Sequence, residues 1–449
     1  MYKLSKYSFL TSYQKDGSAI YLVFSGRTGK NISISANLYH QLKSGSYMSI
    51  NEDIKRKLIE TEILVPVDEN ELDSINIKNS ELIKERKNID TLYVSIQPTA
   101  GCQLACDSCG QKHLKENMSD HLIDNVIKRI SSNLIGKHKS LTISWFGGEP
   151  LLGFTQMRKL NKRLKEITTA NGIEYSGKIT TNGVSLTLER YEELIKDFNI
   201  KVVEITLDGS KEYHDSRKYM KSGRGSFDLI FKNLVNIIKS PYFNRSISEI
   251  NIRCNVDERN LEGVIPLLQQ FVNYGIHKDI NFYSTYVYPW ALNDAGKGLS
   301  KQEYADKTLD YFIFMKNNGF RIINLLPHRT PPIYCMATKS DAEMYDAYGN
   351  IYDCSETSYS DVYENSEYIL GNLQNSPTKH VQRSRLVHYI DEQLNGKYTI
   401  CTDCKFYPLC GGGCAKAMAE GVPRCPTFIY NFEDRMVLDY LIKQSNDTE

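Results

Sequence analysis

The sequence contains no long apolar run. Its first residues, Met-Tyr-Lys-Leu-Ser-Lys-Tyr-Ser, include no run of signal-peptide length, and no later segment approaches the roughly eighteen apolar residues of a membrane span. An excess of one charge is also absent: 55 Lys and Arg against 54 Asp and Glu leave a formal charge of +1. No global field would therefore hold nucleic acid or an anionic membrane. We expect a soluble, cytoplasmic protein that binds neither.

Cysteine, in contrast, is plentiful: the chain has eleven. Disulfide frameworks are typical of short secreted chains, so reduced thiols that bind metal are the better interpretation here. Ten of the eleven fall into two ordered sets, and Cys254 stands alone. The first set is Cys102, Cys106 and Cys109, and the second is Cys335, Cys354, Cys401, Cys404, Cys410, Cys414 and Cys425.

The patterning predicts three domains, at residues 1–88, 89–325 and 326–449. In the first, alternating apolar residues at 19–24 and 32–34 indicate a β-hairpin, and two short helical patterns follow near Ser35 and at 51–62. A hairpin with small helices is the composition of a winged-helix domain. Residues 68–88 are charged and are predicted to form a linker or an exposed helix.

The second domain alternates strands with amphipathic helices, which indicates an α/β fold with a parallel sheet. Six such units predict a partial (β/α)6 barrel, whose ligands bind at the carboxyl ends of the strands. Strands are predicted at 92–97, 141–146, 177–181, 202–207, 249–257 and 279–286. Helices are predicted at 119–135, 154–170, 187–198, 226–239, 261–274 and 300–318. The third domain has little regular patterning, so metal clusters would have to organise it.

Cys102, Cys106 and Cys109 directly follow the first predicted barrel strand. With three and then two residues between them, one loop can deliver three thiolates to a four-iron cluster and leave the fourth iron bare. Zinc is the alternative, and it needs a fourth protein ligand. His113 lies nearby, but this spacing is unusual for zinc knuckles.

At these residues the chain resembles the radical S-adenosylmethionine (radical SAM) enzymes, over residues 90 to 440. Further matches follow successive strands: Gly147-Gly148-Glu149-Pro150, Thr181-Asn182-Gly183 and Asp208-Gly209. In that family the three-cysteine loop holds a [4Fe-4S] cluster whose open iron chelates S-adenosylmethionine, and one electron then releases a 5′-deoxyadenosyl radical. The family usually has an aromatic residue before the last cysteine, where this chain has Ser108, so that adenine contact is not transferred.

The resemblance also implies which residues contact the cofactor. The two glycines allow a close backbone approach, and Glu149 offers an acceptor for the ammonium group. The hydroxyl of Thr181 and the amide of Asn182 suit a ribose, and Arg217 would meet the carboxylate. The predicted cofactor-binding residues are Gly147, Gly148, Glu149, Thr181, Asn182, Asp208, Arg217, Arg253 and Asn255.

Arg253 and Asn255 enter this set through the parity of the fifth strand. With a period of two they share one face, which should point into the barrel toward cofactor or substrate. Cys254 then lies on the opposite face with Ile252 and Val256. We expect a packed cysteine there, although some peptide epimerases of this family use a cysteine thiol as a hydrogen-atom donor.

The seven later cysteines resemble a SPASM domain, which carries two auxiliary [4Fe-4S] clusters, so the chain would hold three clusters in all. The resemblance implies that Cys401, Cys404, Cys410 and Cys425 bind one cluster completely. Cys335, Cys354 and Cys414 would bind the other and leave it one ligand short. A substrate thiolate or a non-cysteine residue would fill that position. A zinc ribbon from Cys401 to Cys414 is the alternative, and it leaves Cys335 and Cys354 unexplained.

The leading functional hypothesis is a peptide maturase, because SPASM-containing relatives mostly modify peptides or proteins. It would remove a hydrogen atom from a ribosomally made peptide and install a crosslink such as a thioether. The flank of the cysteine loop also resembles maturases of the grasp-with-spasm group. The partners would be a precursor peptide, whose leader adds a strand to the N-terminal domain, and a flavodoxin- or ferredoxin-like electron donor. Peptide epimerisation, formylglycine formation in sulfatases, and a metal-bound scaffold that presents a peptide without chemistry are the alternatives.

Overall fold

The computed structural model describes residues 1–87, 90–107, 109–288, 298–328, 335–375 and 377–446. Ser108, where the sequence departs from the family pattern, lies outside these residues. No helix in the described part of the chain is long and apolar enough to cross a membrane.

The N-terminal module is built on a three-stranded antiparallel sheet in the order β2-β3-β4. Its elements are β1 (Tyr2–Leu4), β2 (Ser8–Lys15), β3 (Ser18–Ser25), β4 (Lys30–Ile34), α1 (Ala36–Ser44), α2 (Glu52–Glu60), β5 (Leu64–Pro66) and α3 (Glu71–Lys87). The predicted hairpin is confirmed as β3 and β4, which pair antiparallel. The sequence patterns missed β2, and the charged stretch predicted as a linker or exposed helix is the helix α3.

The middle of the chain forms six parallel strands that neighbour one another in chain order. The elements are β6 (Thr91–Ile96), α4 (Asp120–Leu134), β7 (Ser140–Trp145), α5 (Phe154–Ala170), β8 (Glu174–Thr181), α6 (Leu188–Lys196), β9 (Ile200–Thr206), α7 (Lys211–Asp215), α8 (Phe227–Ile238), β10 (Glu249–Val256), α9 (Val264–Asn273), β11 (Ile280–Tyr286) and α10 (Lys301–Asn317). The predicted α/β fold with a parallel sheet is confirmed, since all six strands and their helices lie within a few residues of the predicted positions.

The C-terminal segment extends this sheet instead of forming an independent unit. Its elements are β12 (Glu343–Tyr345), β13 (Asn350–Tyr352), β14 (Ile369–Asn372), α11 (Tyr389–Leu394), α12 (Thr399–Thr402), α13 (Tyr407–Cys410), α14 (Ala415–Ala419) and α15 (Phe432–Asn446). β12 pairs parallel with β6, so β12, β13 and β14 continue the sheet at the edge opposite β11. Two of the later cysteines, Cys410 and Cys414, lie near the carboxyl ends of the barrel strands.

The last helix ties the two ends of the chain together. Phe432 and Met436 of α15 pack against Phe9 and Phe24 of the N-terminal sheet. The amide of Asn31 on β4 donates to the carbonyl oxygen of Met436 at 2.8 Å. The other face of the sheet packs on α1 and α2. The N-terminal module is therefore fixed beside the C-terminal segment by a shared apolar core.

Candidate active site

A cavity of about 770 Å³ lies at the carboxyl ends of the barrel strands. Cys102, Cys106 and Cys109 line it, and so do Cys410 and Cys414. The predicted radical centre and part of the auxiliary set thus face one shared space, which we call the main cavity. The predicted cofactor-binding residues that line it are Gly147, Gly148, Thr181, Asn182, Arg253 and Asn255.

Cys102 is buried, Cys106 and Cys109 are half-buried, and the three thiols lie close to one another. Burial raises the pKa of Cys102 to about 12, and the neighbouring thiols Cys106 and Cys109 add to the increase. Burial also raises the pKa of Cys106. Thiols placed in this way need a cation to exist as thiolates, and thiolates are the ligands that iron-sulfur clusters take. The donor set therefore fits a cluster chemically.

Polar groups around these thiols are placed to stabilise thiolates. The Asn182 amide nitrogen lies 3.7 Å from the sulfur of Cys102. His113 Nε2 lies 3.2 Å from the sulfur of Cys109. The sequence pattern indicates His113 only as an alternative zinc ligand. Its position four residues after Cys109 is the feature of the sequence that points to this contact. Hydrogen bonds to the sulfurs are one means by which a protein sets a cluster's potential.

The glycine pair is required by packing within the protein. A Cβ at Gly147 would meet Gln97 at 3.2 Å, and Gly147 has φ of +116°. A Cβ at Gly148 would meet the Gly101 carbonyl oxygen at 2.7 Å and His113 at 2.8 Å. Both glycines still border the main cavity. Because glycine has no side chain, the loop after β7 can lie directly against the cysteine loop. This packing is a second reason for glycine at both positions, beside the predicted close approach to a cofactor.

Glu149, the predicted acceptor for the ammonium group, is fully buried and is not among the residues that line the main cavity. It accepts hydrogen bonds from the Thr181 hydroxyl at 2.8 Å, the Asn182 backbone at 2.8 Å and the Leu151 backbone at 3.0 Å. Burial raises the pKa of Glu149 to about 7. In this structure Glu149 holds the ends of β7 and β8 together and thereby positions Thr181 and Asn182.

Arg217, the residue predicted to meet the cofactor carboxylate, is 1% exposed and is not among the residues that line the main cavity. One guanidinium nitrogen donates to Asp257 at 2.9 Å, and the other donates to the Asn255 carbonyl oxygen at 3.2 Å. Asp208 is likewise fully buried and accepts from the Asn255 backbone at 2.8 Å. Arg217 and Asp208 therefore both stabilise the carboxyl end of β10 through the backbone of Asn255.

Lys218 is a cation in the main cavity that sequence reasoning missed. Its ammonium nitrogen lies 3.5 Å from Asp208. Burial acts to lower the pKa of Lys218, but the charges of Asp208 and Cys106 outweigh it and raise that pKa. Lys218 therefore stays protonated beside the cysteine loop, where a carboxylate ligand would find a positive charge.

The fifth barrel strand follows the predicted parity. Arg253 and Asn255 line the main cavity, and the Arg253 Nε donates to Asn255 Oδ1 at 2.9 Å. Cys254 is fully buried on the other face, and burial raises its pKa well above the ordinary value. It lies near Tyr304 and Tyr311 of α10, away from the main cavity. The structure thus places Cys254 in the packing between sheet and helices.

The later cysteines form two groups in space. Burial raises the pKa of Cys410 to about 12, and the neighbouring thiols of Cys401, Cys404 and Cys425 raise it further. These four thiols line a small, mostly apolar pocket. Burial likewise raises the pKa of Cys354, and the neighbouring thiols of Cys414 and Cys335 raise it further. These are the two sets that the resemblance implied.

A single metal ion fits these thiols less well. Among the described residues, no three His, Cys, Asp or Glu side chains converge closely enough to hold one ion. The ligands of a four-iron cluster stand farther apart than those of zinc, which is bound tetrahedrally at short distance. The zinc ribbon proposed as the alternative therefore has no converging ligand set in the described part of the chain.

Gln393 adds a polar group to the four-thiol pocket that sequence reasoning missed. Its side chain is fully buried, and neither amide atom has a conventional hydrogen bond to another described residue. Burial raises the pKa of Cys401, and the Gln393 amide opposes that increase by acting as a donor. Buried amides almost always have partners. The Gln393 amide is therefore a hydrogen-bond donor beside the sulfur of Cys401.

Comparisons with known proteins agree with this geometry. Residues 96–265 match the model of the radical SAM superfamily. A cysteine-type anaerobic sulfatase-maturating enzyme of Clostridium novyi is 25% identical over 386 residues, which cover 79% of this chain and 98% of the relative. A serine-type anaerobic sulfatase-maturating enzyme of Bacteroides thetaiotaomicron is 24% identical over 386 residues, covering 74% and 85%.

A solved structure shares the fold. Native anSMEcpe with bound AdoMet and Cp18Cys peptide superposes with a TM-score of 0.60 at 18% identity, over 80% of this chain and all of that one. The predicted resemblance is confirmed: the chain contains a radical SAM domain and is a radical SAM enzyme related to maturases. A [4Fe-4S] cluster and S-adenosylmethionine are the cofactors of that superfamily, and when bound they supply a 5′-deoxyadenosyl radical.

Proposed function

We propose that this enzyme is a peptide maturase that removes two hydrogen atoms from a ribosomally made precursor and joins a cysteine sulfur to a carbon as a thioether. S-adenosylmethionine would take one hydrogen atom from the carbon and leave as 5′-deoxyadenosine and methionine. The thiol would release a proton, and an auxiliary cluster would accept the remaining electron. The observation that carries the proposal is the shared main cavity. Cys102, Cys106 and Cys109 line this cavity together with Cys414. A peptide between them would meet the radical source and the auxiliary set together.

We assign three cluster sites to the chain. Cys102, Cys106 and Cys109 hold the first cluster, and Lys218, Arg253 and Asn255 face the cofactor beside it. The four-thiol pocket holds a complete auxiliary cluster. Cys335, Cys354 and Cys414 supply three ligands for another, whose remaining position is open to a peptide thiolate near the main cavity. A flavodoxin- or ferredoxin-like protein would deliver the electrons.

The N-terminal module favours a leader-bearing peptide as substrate. The Clostridium novyi relative is covered almost entirely, yet about a fifth of this chain remains unmatched. A module of 1–88 has that size. Its strand β4 ends the sheet and has no further strand partner among the described residues. Such an edge can take an extended peptide as an added strand.

Product mass tests the proposed reaction. We expect the reconstituted enzyme, given a cysteine-containing precursor encoded beside its gene, to produce a peptide that has lost two hydrogens and kept its sulfur. One cysteine should then resist alkylation, because its sulfur is bonded to carbon. High-resolution tandem mass spectrometry with iodoacetamide labelling measures both. Uptake of one deuterium from heavy water without mass loss would mean epimerisation and would contradict the proposal.

Formylglycine formation is the second candidate, and the relatives favour it, since two of them are named as sulfatase-maturating enzymes. Its product differs in kind. A cysteine would lose its sulfur, or a serine would lose two hydrogens, and either aldehyde would react with a hydrazide. A sulfatase-derived cysteine peptide and its serine counterpart, incubated with the same enzyme, therefore separate the two functions.

The four-thiol pocket yields a spectroscopic prediction. Replacing Gln393 with Leu should make the reduction potential of its cluster more negative by an amount on the order of tens of millivolts. One hydrogen bond contributes about 1 kcal/mol, and about 59 mV corresponds to a tenfold change in a one-electron couple. Redox titration by electron paramagnetic resonance, on a background lacking Cys102, Cys106 and Cys109, measures this potential.

Tyr389 provides the matched control. Its hydroxyl donates to the Gly412 carbonyl oxygen in the same pocket wall and not to sulfur. Tyr389→Phe should therefore leave the potential near that of the unmodified protein. Equal shifts in both variants would show that general loosening of the pocket, and not the Gln393 amide, sets the potential.

A further inference from the structure

A second cavity of about 320 Å³, which we call the side chamber, lies beside β11. β11 is the terminal strand of the sheet, so the barrel has no strand beyond it among the described residues. α10 and the segment around Phe428 close this side. Five residues line both the side chamber and the main cavity: Thr285, Tyr286, Tyr288, Pro426 and Phe428. The chamber therefore adjoins the place where a peptide would react.

The walls of the side chamber are aromatic rings whose hydroxyls are engaged elsewhere. Tyr286 donates to the Leu299 carbonyl oxygen at 2.8 Å, and Tyr288 donates to the Cys425 carbonyl oxygen at 2.6 Å. Tyr311 donates to a backbone carbonyl at 2.8 Å. The chamber therefore meets the ring surfaces of these three tyrosines and not their hydroxyl groups. Ring surfaces of this kind favour another aromatic ring by offset or edge contacts.

Charge in the wall restricts the occupant further. Arg435 borders the chamber, and its guanidinium donates to Asn431 at 2.7 Å and to Thr308 at 3.1 Å. Burial lowers the pKa of Arg435 to about 10, so it remains charged near neutral pH. A buried positive charge disfavours a lysine or arginine side chain in the same space.

A polar atom in the wall lacks a partner. The hydroxyl oxygen of Thr285 is buried and has no hydrogen-bond partner among the described residues. Thr285 stands on β11, between the side chamber and the main cavity. A ring that carries a single polar atom, such as a phenol, could satisfy it. Buried hydroxyls without partners are uncommon in folded proteins.

We infer that the side chamber is a subsite for an aromatic side chain, tyrosine in particular, that neighbours the modified residue of the substrate. This inference rests on the proposed function in taking the substrate to be a peptide. The chamber's volume lies at the lower end of the range of ligand pockets, which suits one side chain and not a second molecule. Its occupation would fix which residue of the peptide reaches the radical.

Amino-acid amides test the subsite without any precursor or turnover. The probes are N-acetyl-L-tyrosinamide, the phenylalanine and leucine analogues, and the lysine analogue, and saturation-transfer NMR on the reconstituted enzyme measures their affinities. We expect the tyrosine probe to bind best, the phenylalanine probe next, and the lysine probe not at all. Leucine or lysine probes that bind as tightly as tyrosine would overturn the inference.

Two variants locate the binding. Thr285→Val keeps the shape and removes the hydroxyl, so it should weaken the tyrosine probe by up to about tenfold and leave the phenylalanine probe unchanged. Met315→Trp adds bulk in the chamber wall and should block both probes, and Met48→Trp, at an exposed position, is its control. Unchanged tyrosine binding in Thr285→Val would overturn the assignment even if Met315→Trp did not fold.

The probe experiment also keeps the two proposals apart. Ring binding that responds to Thr285 would support the subsite whichever reaction the product mass reveals. Loss of two hydrogens from a precursor without any aromatic preference would support the proposed function and overturn the subsite.

Discussion

Replacing Cys102, Cys106 and Cys109 together with alanine is expected to reduce cleavage of S-adenosylmethionine to the background rate. The same variant should keep about two thirds of the iron, because each cluster holds about four irons and the auxiliary cysteines remain. The physical reason is that cluster iron is held only through thiolates, and this set is the one that borders the cofactor residues. Release of 5′-deoxyadenosine under anaerobic reducing conditions, with iron analysis of the same sample, measures both quantities.

Cys254→Ala is the matched control for that experiment. Cys254 is fully buried and points away from the main cavity, so its replacement should leave iron content and cofactor cleavage intact. Residual cleavage in the triple variant, or iron equal to that of the unmodified protein, would refute the assignment of the first cluster. Loss of cleavage in Cys254→Ala would instead contradict the interpretation, drawn from the strand parity, that Cys254 is only a packing residue.

The sequence patterns predicted the middle of the fold well because its strands are long and its helices strongly amphipathic. β10, for example, alternates buried and partly exposed residues without interruption, and α4 begins with a Ser119 cap. Periodicity and caps are local signals, so they can be recognised without knowing tertiary contacts.

The parts that the sequence patterns missed depend on distant partners. β12 is three residues long and pairs on one side with the short strand β13 and on the other with β6, about 250 positions earlier in the chain. α15 was not predicted as a helix, and its apolar residues match the N-terminal sheet, with Phe432 packed on Phe9. No window of local sequence contains β6 or the N-terminal sheet, so propensity alone could not identify these elements.

The motif residues show the same limit at the site. The motifs placed Glu149 and Arg217 in the correct loops, but a motif does not state which way a side chain turns. Glu149 turns toward the end of β8, and Arg217 turns toward Asp257. α7 ends at Asp215, just before Arg217 and Lys218, so no helical or strand period assigns their directions. Only the tertiary structure distinguishes the two adjacent cations.

Lys218→Met is therefore expected to weaken binding of S-adenosylmethionine by about tenfold to a hundredfold. A hydrogen bond to a charged group contributes roughly 1.5–3 kcal/mol, and about 1.4 kcal/mol corresponds to a factor of ten. Lys218 lines the main cavity and stays charged there. Arg253 and Arg424 also line the cavity, so a residual affinity is expected in the variant. Equilibrium binding to the reconstituted enzyme, followed by isothermal titration calorimetry, measures the loss.

Arg217→Met should behave differently, and the contrast decides which cation serves the cofactor. Its guanidinium pairs with buried Asp257, so its removal should lower the free energy of unfolding by roughly 3 kcal/mol. That value is the lower end of the range for a broken buried ion pair, because Arg259 continues to pair with Asp257. A stable Arg217→Met protein that loses cofactor affinity, beside a Lys218→Met protein that keeps it, would return the carboxylate contact to Arg217. A destabilised Arg217→Met protein, beside a stable Lys218→Met protein that loses cofactor affinity, would show that Arg217 holds the end of β10 and that Lys218 binds the cofactor.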